Sequence, residues 1–173
     1  NYLDEKLGGK GNIIIMRGAD GHEAATMRTE GNKKVIAEKY PDIKILAEDT
    51  GKWDRALGMS LAENWIQQYG EEIDAFVCNN DEMAIGAVKA IENAGLTGKI
   101  LTAGVDCTPD ALVELKKGTL NFTVFQDPAG QGAGGVQAAY DIVMGKSVDK
   151  IVWIPYVPVP PEEYDTYAAF WGM

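Results

Sequence analysis

The sequence predicts an α/β protein with an open, mostly parallel, doubly wound sheet and helices on both faces. Short runs of consecutive apolar residues alternate with segments of helical periodicity along the whole chain. The runs are continuous rather than alternating, which is typical of strands covered on both faces. Capping residues mark the boundaries between the two kinds of segment. A strand–helix alternation of this kind favours a parallel sheet.

Six apolar runs predict six strands. They are residues 12–16, 43–47, 75–78, 100–105, 122–125 and 151–154. Prolines crowd the end of the last run, at positions 155, 158, 160 and 161. Because proline cannot donate to a ladder, we expect this final segment to be an edge strand or an extended connector.

The segments between the runs predict helices, three of which show a clear apolar face. These faces hold Ala24, Met27, Gly31 and Val35; then Leu57, Leu61, Trp65 and Tyr69; then Ala84, Ala87, Val88 and Ile91. Each set follows the spacing of one side of a helix. Trp65 is expected to belong to the core.

Boundary residues predict two further helices. Thr108 precedes Pro109, and Asp127 precedes Pro128. Each pair places a capping side chain before a proline at the first helical position. Gly118 is expected to end the helix that Pro109 begins.

Composition and charge exclude several classes of function. The chain has 173 residues, 46% of them hydrophobic and 24% charged, with a formal net charge of −10. An acidic surface disfavours nucleic acid and anionic membranes as partners, and no apolar run approaches the roughly 20 residues that span a bilayer. Cys78 and Cys107 are too few for a disulfide framework or a zinc site, and their pairing would need suitable Cα spacing.

Motifs of catalysis and cofactor binding fail in context, so no catalytic residue, metal or cofactor is assigned. The segment GQGAGG at 130–135 matches a dinucleotide pattern, but no acidic residue ends the next predicted strand. The segment GKS at 145–147 lacks the leading glycine of a P-loop, because Tyr140 stands there. His22 is the only histidine, and no spacing among the 26 acids indicates a carboxylate site.

Polar side chains instead gather where the predicted strands end. They are Arg17, Asp20 and His22; Glu48, Asp49 and Trp53; Asn79, Asn80 and Asp81; Asp106; and Gln126. Ligands of open α/β sheets bind at the carboxyl ends of the strands. Carboxylates accept from hydroxyls, amides do both, and an indole gives a flat apolar face, so this set favours a neutral polyol. Binding without chemistry is the simpler interpretation.

Five segments, in order along nearly the whole chain, resemble one family. They are RTEG at 28–31, WDRALG at 53–58, NDEMAIG at 80–86, GVDCTPD at 104–110, and QDP at 126–128 followed by a glycine-rich helix. Together they resemble the C-terminal lobe of the type I periplasmic sugar-binding proteins, the ribose-binding-protein-like receptors of ABC importers. Two positions depart from the family's usual residues, with Cys107 where glycine is commoner and Trp53 where phenylalanine is frequent.

The resemblance implies a role for each matching residue. Arg28, Asn80, Asp106 and Gln126 would hydrogen-bond the sugar hydroxyls, and Trp53 would stack on the ring. Spacing alone leaves other roles open. Arg28 could pair with a surface glutamate, Trp53 could anchor the core, and Asn80 could cap a helix. For the adjacent Asp81, helix capping is the expected role.

The resemblance also implies how the chain is organised. Residues 1–126 would form the C-terminal lobe, residues 127–150 a helix of an N-terminal lobe that the chain lacks, and residues 151–173 a hinge return and tail. That helix is expected to lose most of its packing partners. The implied function is a non-enzymatic, extracytoplasmic receptor that clamps a sugar or polyol between two lobes and docks on an ABC permease. The alternatives are the effector-sensing core of a LacI-type repressor and, more remotely, an NAD-linked enzyme.

Overall fold

A computed structural model describes residues 2–173, except for the side chains of residues 3 and 4. Its main sheet has four parallel strands in the order β2-β1-β3-β4. They are β1 (Lys10–Arg17), β2 (Asp42–Thr50), β3 (Ala75–Cys78) and β4 (Leu101–Ala103). Parallel bridges from Ala103 to Phe122 and from Asp106 to Phe125 continue the sheet to β5 (Thr123–Gln126). The predicted parallel α/β sheet is confirmed.

Seven α-helices accompany the strands in residues 2–173. They are α1 (Tyr2–Leu7), α2 (Glu23–Lys39), α3 (Arg55–Tyr69), α4 (Asp81–Asn93), α5 (Pro109–Lys117), α6 (Pro128–Val143) and α7 (Tyr164–Trp171). The predicted caps are confirmed for α5, where Thr108 accepts from the Ala111 amide and Gly118 adopts a left-handed conformation. Asp127 caps α6 in the same way.

Both faces of the sheet are buried, as the continuous apolar runs predict. Ile14 and Met16 of β1 pack into a cluster with α3 and α4, which also contains the buried Trp65. Ile13 and Ile15 point to the other face, where residues of α1 and α2 cover them. The alternation along β1 follows from the two-residue period of a strand.

The predicted apolar face of α2 is wrong. Met27 is 67% exposed, whereas Ala25 and Thr29 are the buried residues of this helix. The cause is a polar contact, because the Thr29 hydroxyl donates to the Asn79 side-chain oxygen at 3.1 Å. This rotation also brings the neighbouring Arg28 to the edge of the sheet.

The predicted strand at 151–154 is also wrong. That segment is irregular, and β6 (Tyr156–Val159) follows it, antiparallel to β5. Pro158 lies opposite Val124. Since β6 pairs with β5 alone among the described strands, it has a free side on which a missing N–H costs nothing. The expectation of a proline-rich edge strand therefore holds, displaced along the chain.

The helix α6 has no buried residue. Several of its apolar side chains, and those that follow it, are more than half exposed: Val136, Tyr140, Ile142, Val143, Met144, Ile151, Val152 and Trp153. The GQGAGG segment lies inside this helix, not in a turn between strand and helix, which disfavours a dinucleotide site. In the described part of the chain, no helix has both the length and the apolar character needed to cross a bilayer.

Candidate ligand-binding site

At the carboxyl ends of the strands, three of the other predicted site residues lie around Arg28: Trp53, Asp106 and Gln126. The Arg28 guanidinium donates from Nη1 to the Asn79 carbonyl oxygen and from Nη2 to Gln126 Oε1, both at 2.6 Å. Nη1 also lies 3.6 Å from Asp106 Oδ1. Arg28 is half-buried, so these interactions are only partly screened by water. Arg28 therefore makes these contacts at the edge of the sheet, and not the surface ion pair with a glutamate that its spacing left open.

Two aromatic rings flank the same guanidinium. The carbon at its centre lies 5.8 Å from the Trp53 ring centroid and 5.8 Å from that of Tyr156, within the range of cation–π attraction. Sequence reasoning did not find Tyr156. Its position follows from the pairing of β6 with β5, which sets Tyr156 opposite Gln126. Because the sequence predicts the last strand at 151–154, Tyr156 is expected to lie beyond that strand and not within it.

Trp53 packs on the backbone of the loop after β1. It has a positive φ of 69° and is half-buried, with the His22 ring edge-on at 5.3 Å. A Cβ at Gly18 would overlap the indole, so only glycine lets the ring lie there. Trp53 thus packs against the hydrophobic core, and the exposed part of its ring lies at the rim.

Asn79 and Asn80 make different hydrogen bonds at the end of β3. The buried Asn79 accepts on Oδ1 from the Gly18 amide at 3.0 Å and from the Thr29 hydroxyl. Asn80 is the N-cap of α4, accepting from the Met83 amide at 3.1 Å. Its Nδ2 lies 3.4 Å from the Trp53 carbonyl oxygen. The capping role left open by spacing is present, and contact of Asn80 with a ligand stays a prediction.

Asp81 does not cap a helix, contrary to expectation. Its side chain is fully buried and turned toward the loop after β4, where Oδ2 accepts from the Thr108 amide at 2.9 Å. Oδ1 accepts from the Thr123 hydroxyl at 2.7 Å. Burial raises the pKa of Asp81 to about 6, although both hydrogen bonds act against the rise. Asn80 and Asp81 are both favourable capping residues, and only the tertiary contacts separate their roles.

Asp106 is the acidic group of the rim. Its side chain is about one-third exposed. Burial raises the pKa of the Asp106 carboxyl, and the Arg28 guanidinium opposes that rise. Together with the Gln126 amide and the guanidinium, it offers both donors and acceptors to hydroxyl groups. Cys107, next to it, is a buried free thiol, as is Cys78, so the two cysteines do not pair.

A separate cavity of about 580 Å³ lies beside the rim, between the sheet and helices α1 and α2. Its walls are mainly apolar, with Val35, Val77, Phe122 and Val124 among them. Arg28 borders it, but Trp53, Asp106 and Gln126 do not. The convergence of polar groups, not this cavity, therefore marks the candidate site. Among the side chains that the structure describes, no group of His, Cys, Asp and Glu residues has a metal-binding arrangement.

Comparison with known proteins agrees with this architecture. The family model described as a periplasmic binding protein domain matches residues 1–147. The chain belongs to the periplasmic binding protein domain family. The match includes every residue predicted for the site.

Relatives of this family member share both its sequence and its fold. An ABC transporter solute binding protein from Bacillus halodurans, solved with bound myo-inositol, is 46% identical with a TM-score of 0.91, over 97% of this chain and 57% of that one. One from Actinobacillus succinogenes, with bound D-allose, is 34% identical with a TM-score of 0.91, over 95% and 58%. A xylitol-binding protein of Mycolicibacterium smegmatis is 39% identical over 84% of this chain and 41% of its own length. The chain spans about half the length of the curated relatives it matches.

Proposed function

We propose that residues 1–126 form one ligand-binding lobe of an extracytoplasmic receptor that delivers a sugar or polyol to an ABC importer. The observation that carries this proposal is the Arg28 network at the carboxyl ends of the strands. Arg28, Asp106 and Gln126 present adjacent donors and acceptors, and Trp53 and Tyr156 present ring faces beside them. We assign all five to ligand contact, Tyr156 from the hinge segment 151–173 and the other four from the lobe, with Asn80 at the edge of the same rim.

The charges of the site favour a neutral ligand. The positive charge of Arg28 already faces the Asp106 carboxylate and two oxygen acceptors. An anion would compete with Asp106, whereas a hydroxyl group can accept from the guanidinium and donate to the carboxylate at once. The net charge of −10 likewise disfavours an anionic ligand.

A sugar or polyol with vicinal hydroxyl groups is the ligand class we favour. Two of the relatives described above were solved with bound myo-inositol and D-allose, and a third is a xylitol-binding protein. All three compounds offer vicinal hydroxyls beside C–H groups, which match a carboxylate beside an aromatic ring. That the relatives are solute-binding proteins supports a binding role over catalysis and disfavours the repressor alternative.

We also propose that α6 and the segment after it pack against a second lobe. The domain division at 126 and 150 rests on the family resemblance, and the exposed apolar side chains of α6 support it. A ligand bound to one lobe alone keeps the surface that faces away from the lobe in water. Closure of a second lobe over it would bury the rest, and the closed form would dock on the permease.

Calorimetry on the full-length gene product that contains these residues tests the proposal. The panel is myo-inositol, xylitol, D-allose and D-ribose. We expect binding of at least one of these four compounds, and Asp106→Ala should weaken it roughly 10- to 100-fold, because it removes charge-assisted hydrogen bonds. Asp42→Ala, an exposed change at the opposite end of β2, is the matched control. Absence of binding, or equal binding by the Asp106 variant, would contradict the proposal.

A further inference from the structure

Asp106 stands in a strained turn. It has a φ of 125°, and the following residue, Cys107, has a φ of 58°. Neither is glycine, so both adopt a backbone conformation that side chains disfavour. Consecutive residues of this kind persist only where surrounding contacts hold them, and such positions concentrate at ligand sites. The contacts that hold this turn therefore bear on the direction of the Asp106 carboxylate.

From one side, the turn is held by the buried carboxylate of Asp81. Asp81 Oδ2 accepts directly from the Thr108 amide at 2.9 Å. Asp81 Oδ1 accepts from the Thr123 hydroxyl at 2.7 Å, and that hydroxyl oxygen accepts from the Cys107 amide at 3.3 Å. The Cys107 and Thr108 amides are thus both linked to the Asp81 carboxylate. The Thr108 amide donates to it directly, and the Cys107 amide is linked through the Thr123 hydroxyl.

From the other side, the turn is held by the C-terminal helix. Trp171 Nε1 donates to the Cys107 carbonyl oxygen at 2.8 Å. α7 is kept in place by packing on α5 through an apolar cluster of Cys107, Leu112, Leu115, Phe125, Val159, Tyr164, Tyr167 and Trp171. Nothing in the motifs of the sequence connects position 171 with position 107.

The two contacts meet on one peptide group. The Cys107 carbonyl and the Thr108 amide belong to the same plane, whose oxygen is held by Trp171 and whose N–H is held by Asp81. Since a peptide group is planar, it cannot rotate about its neighbours without breaking one of these hydrogen bonds. We propose that Trp171 and Asp81 are positioning residues that hold this peptide and thereby aim Asp106 at the ligand; this inference rests on the proposed function.

A first experiment needs no ligand. Cys107 is fully buried in the turn and Cys78 is buried elsewhere, so alkylation by iodoacetamide, followed by mass spectrometry, reports the opening of each place separately. Trp171→Phe keeps a ring and removes the donor, and we expect Cys107 to react at least fivefold faster with Cys78 unchanged. Asp165→Asn, an exposed change on α7 that keeps the indole, is the control. Unchanged labelling of Cys107, or equal acceleration of both thiols, would overturn the inference.

A second experiment asks whether the effect reaches the ligand through Asp106. With myo-inositol as the calorimetric probe, Trp171→Phe should weaken binding three- to tenfold in the wild-type background and leave it unchanged in an Asp106→Ala background. A merely structural role would weaken both equally, and would overturn the inference.

A further pair of variants tests the strain itself. Cys107→Gly removes the strain that a side chain causes at this positive φ. In that background, Trp171→Phe should lower the affinity less than twofold; an undiminished loss of affinity would count against the inference. If the wild-type protein binds none of the four sugars and polyols of the panel, the proposed function fails, while the thiol labelling still decides whether the turn is held as described.

Discussion

The buried carboxylate of Asp81 should give the protein an unusual dependence of stability on pH. Its pKa rises from 3.8 to about 6 on folding because burial penalises the charged form. At about 1.4 kcal/mol for each pH unit, the shift corresponds to about 3 kcal/mol. The sign follows from proton binding, since between these pH values the folded state binds more protons than the unfolded state. This contribution is fully present below pH 3.8 and is lost as the pH rises through 6.

The perturbation is Asp81→Asn, and the assay is urea unfolding at several values between pH 4 and pH 7. Asp106, whose pKa burial also raises, contributes a slope of the same sign, whereas the lowered pKa values of Glu114 and Asp141 act at the acid end of this range and below it. The informative quantity is therefore the difference between variant and wild type. We expect that difference to change by about 2 kcal/mol across the range, with the wild type gaining on the variant toward low pH.

Gln68→Asn, an exposed change that alters no ionisable group, is the control, and its difference from the wild type should be independent of pH. Parallel pH profiles for the Asp81 variant and the wild type would refute the reasoning. They would mean that the free energies of Asp81 ionisation in the folded and unfolded states are equal, and that burial is offset by the bonds from Thr108 and Thr123.

Three further predictions concern the rim and its supports. Arg28→Lys keeps the charge but loses one of two hydrogen bonds, so calorimetry should show polyol affinity about tenfold lower; equal affinity would contradict this. Gly18→Val should displace Trp53, changing its fluorescence and abolishing measurable binding, whereas Gly31→Ala, made where a Cβ meets open space, should do neither. Thr108→Ala removes the cap of α5 and should lower the free energy of unfolding by about 1 kcal/mol in urea titrations, against no change for a surface threonine.

Local chemistry determined much of the fold from the sequence alone. The first five strands appear within a few residues of their predicted places, because consecutive β-branched and apolar residues in a parallel sheet are buried on both faces. Thr108 and Pro109 begin α5, and Gly118 ends it, since capping depends on neighbours within one turn. The strand ends also indicated that Asp106 and Gln126 would share one rim, and the family resemblance added Arg28; the three residues do meet there.

Only the tertiary structure decided the contacts that join distant parts of the chain. Arg28 and Gln126 are 98 residues apart, and Trp171 and Cys107 are 64 apart. The inward turn of Asp81, the buried face of α2 and the place of Tyr156 each depend on a partner of this kind. Periodicity and capping preferences report on a residue's near neighbours along the chain. A hydrogen bond across the sheet depends on the register of strands and the rotation of helices, which exist only after packing is complete.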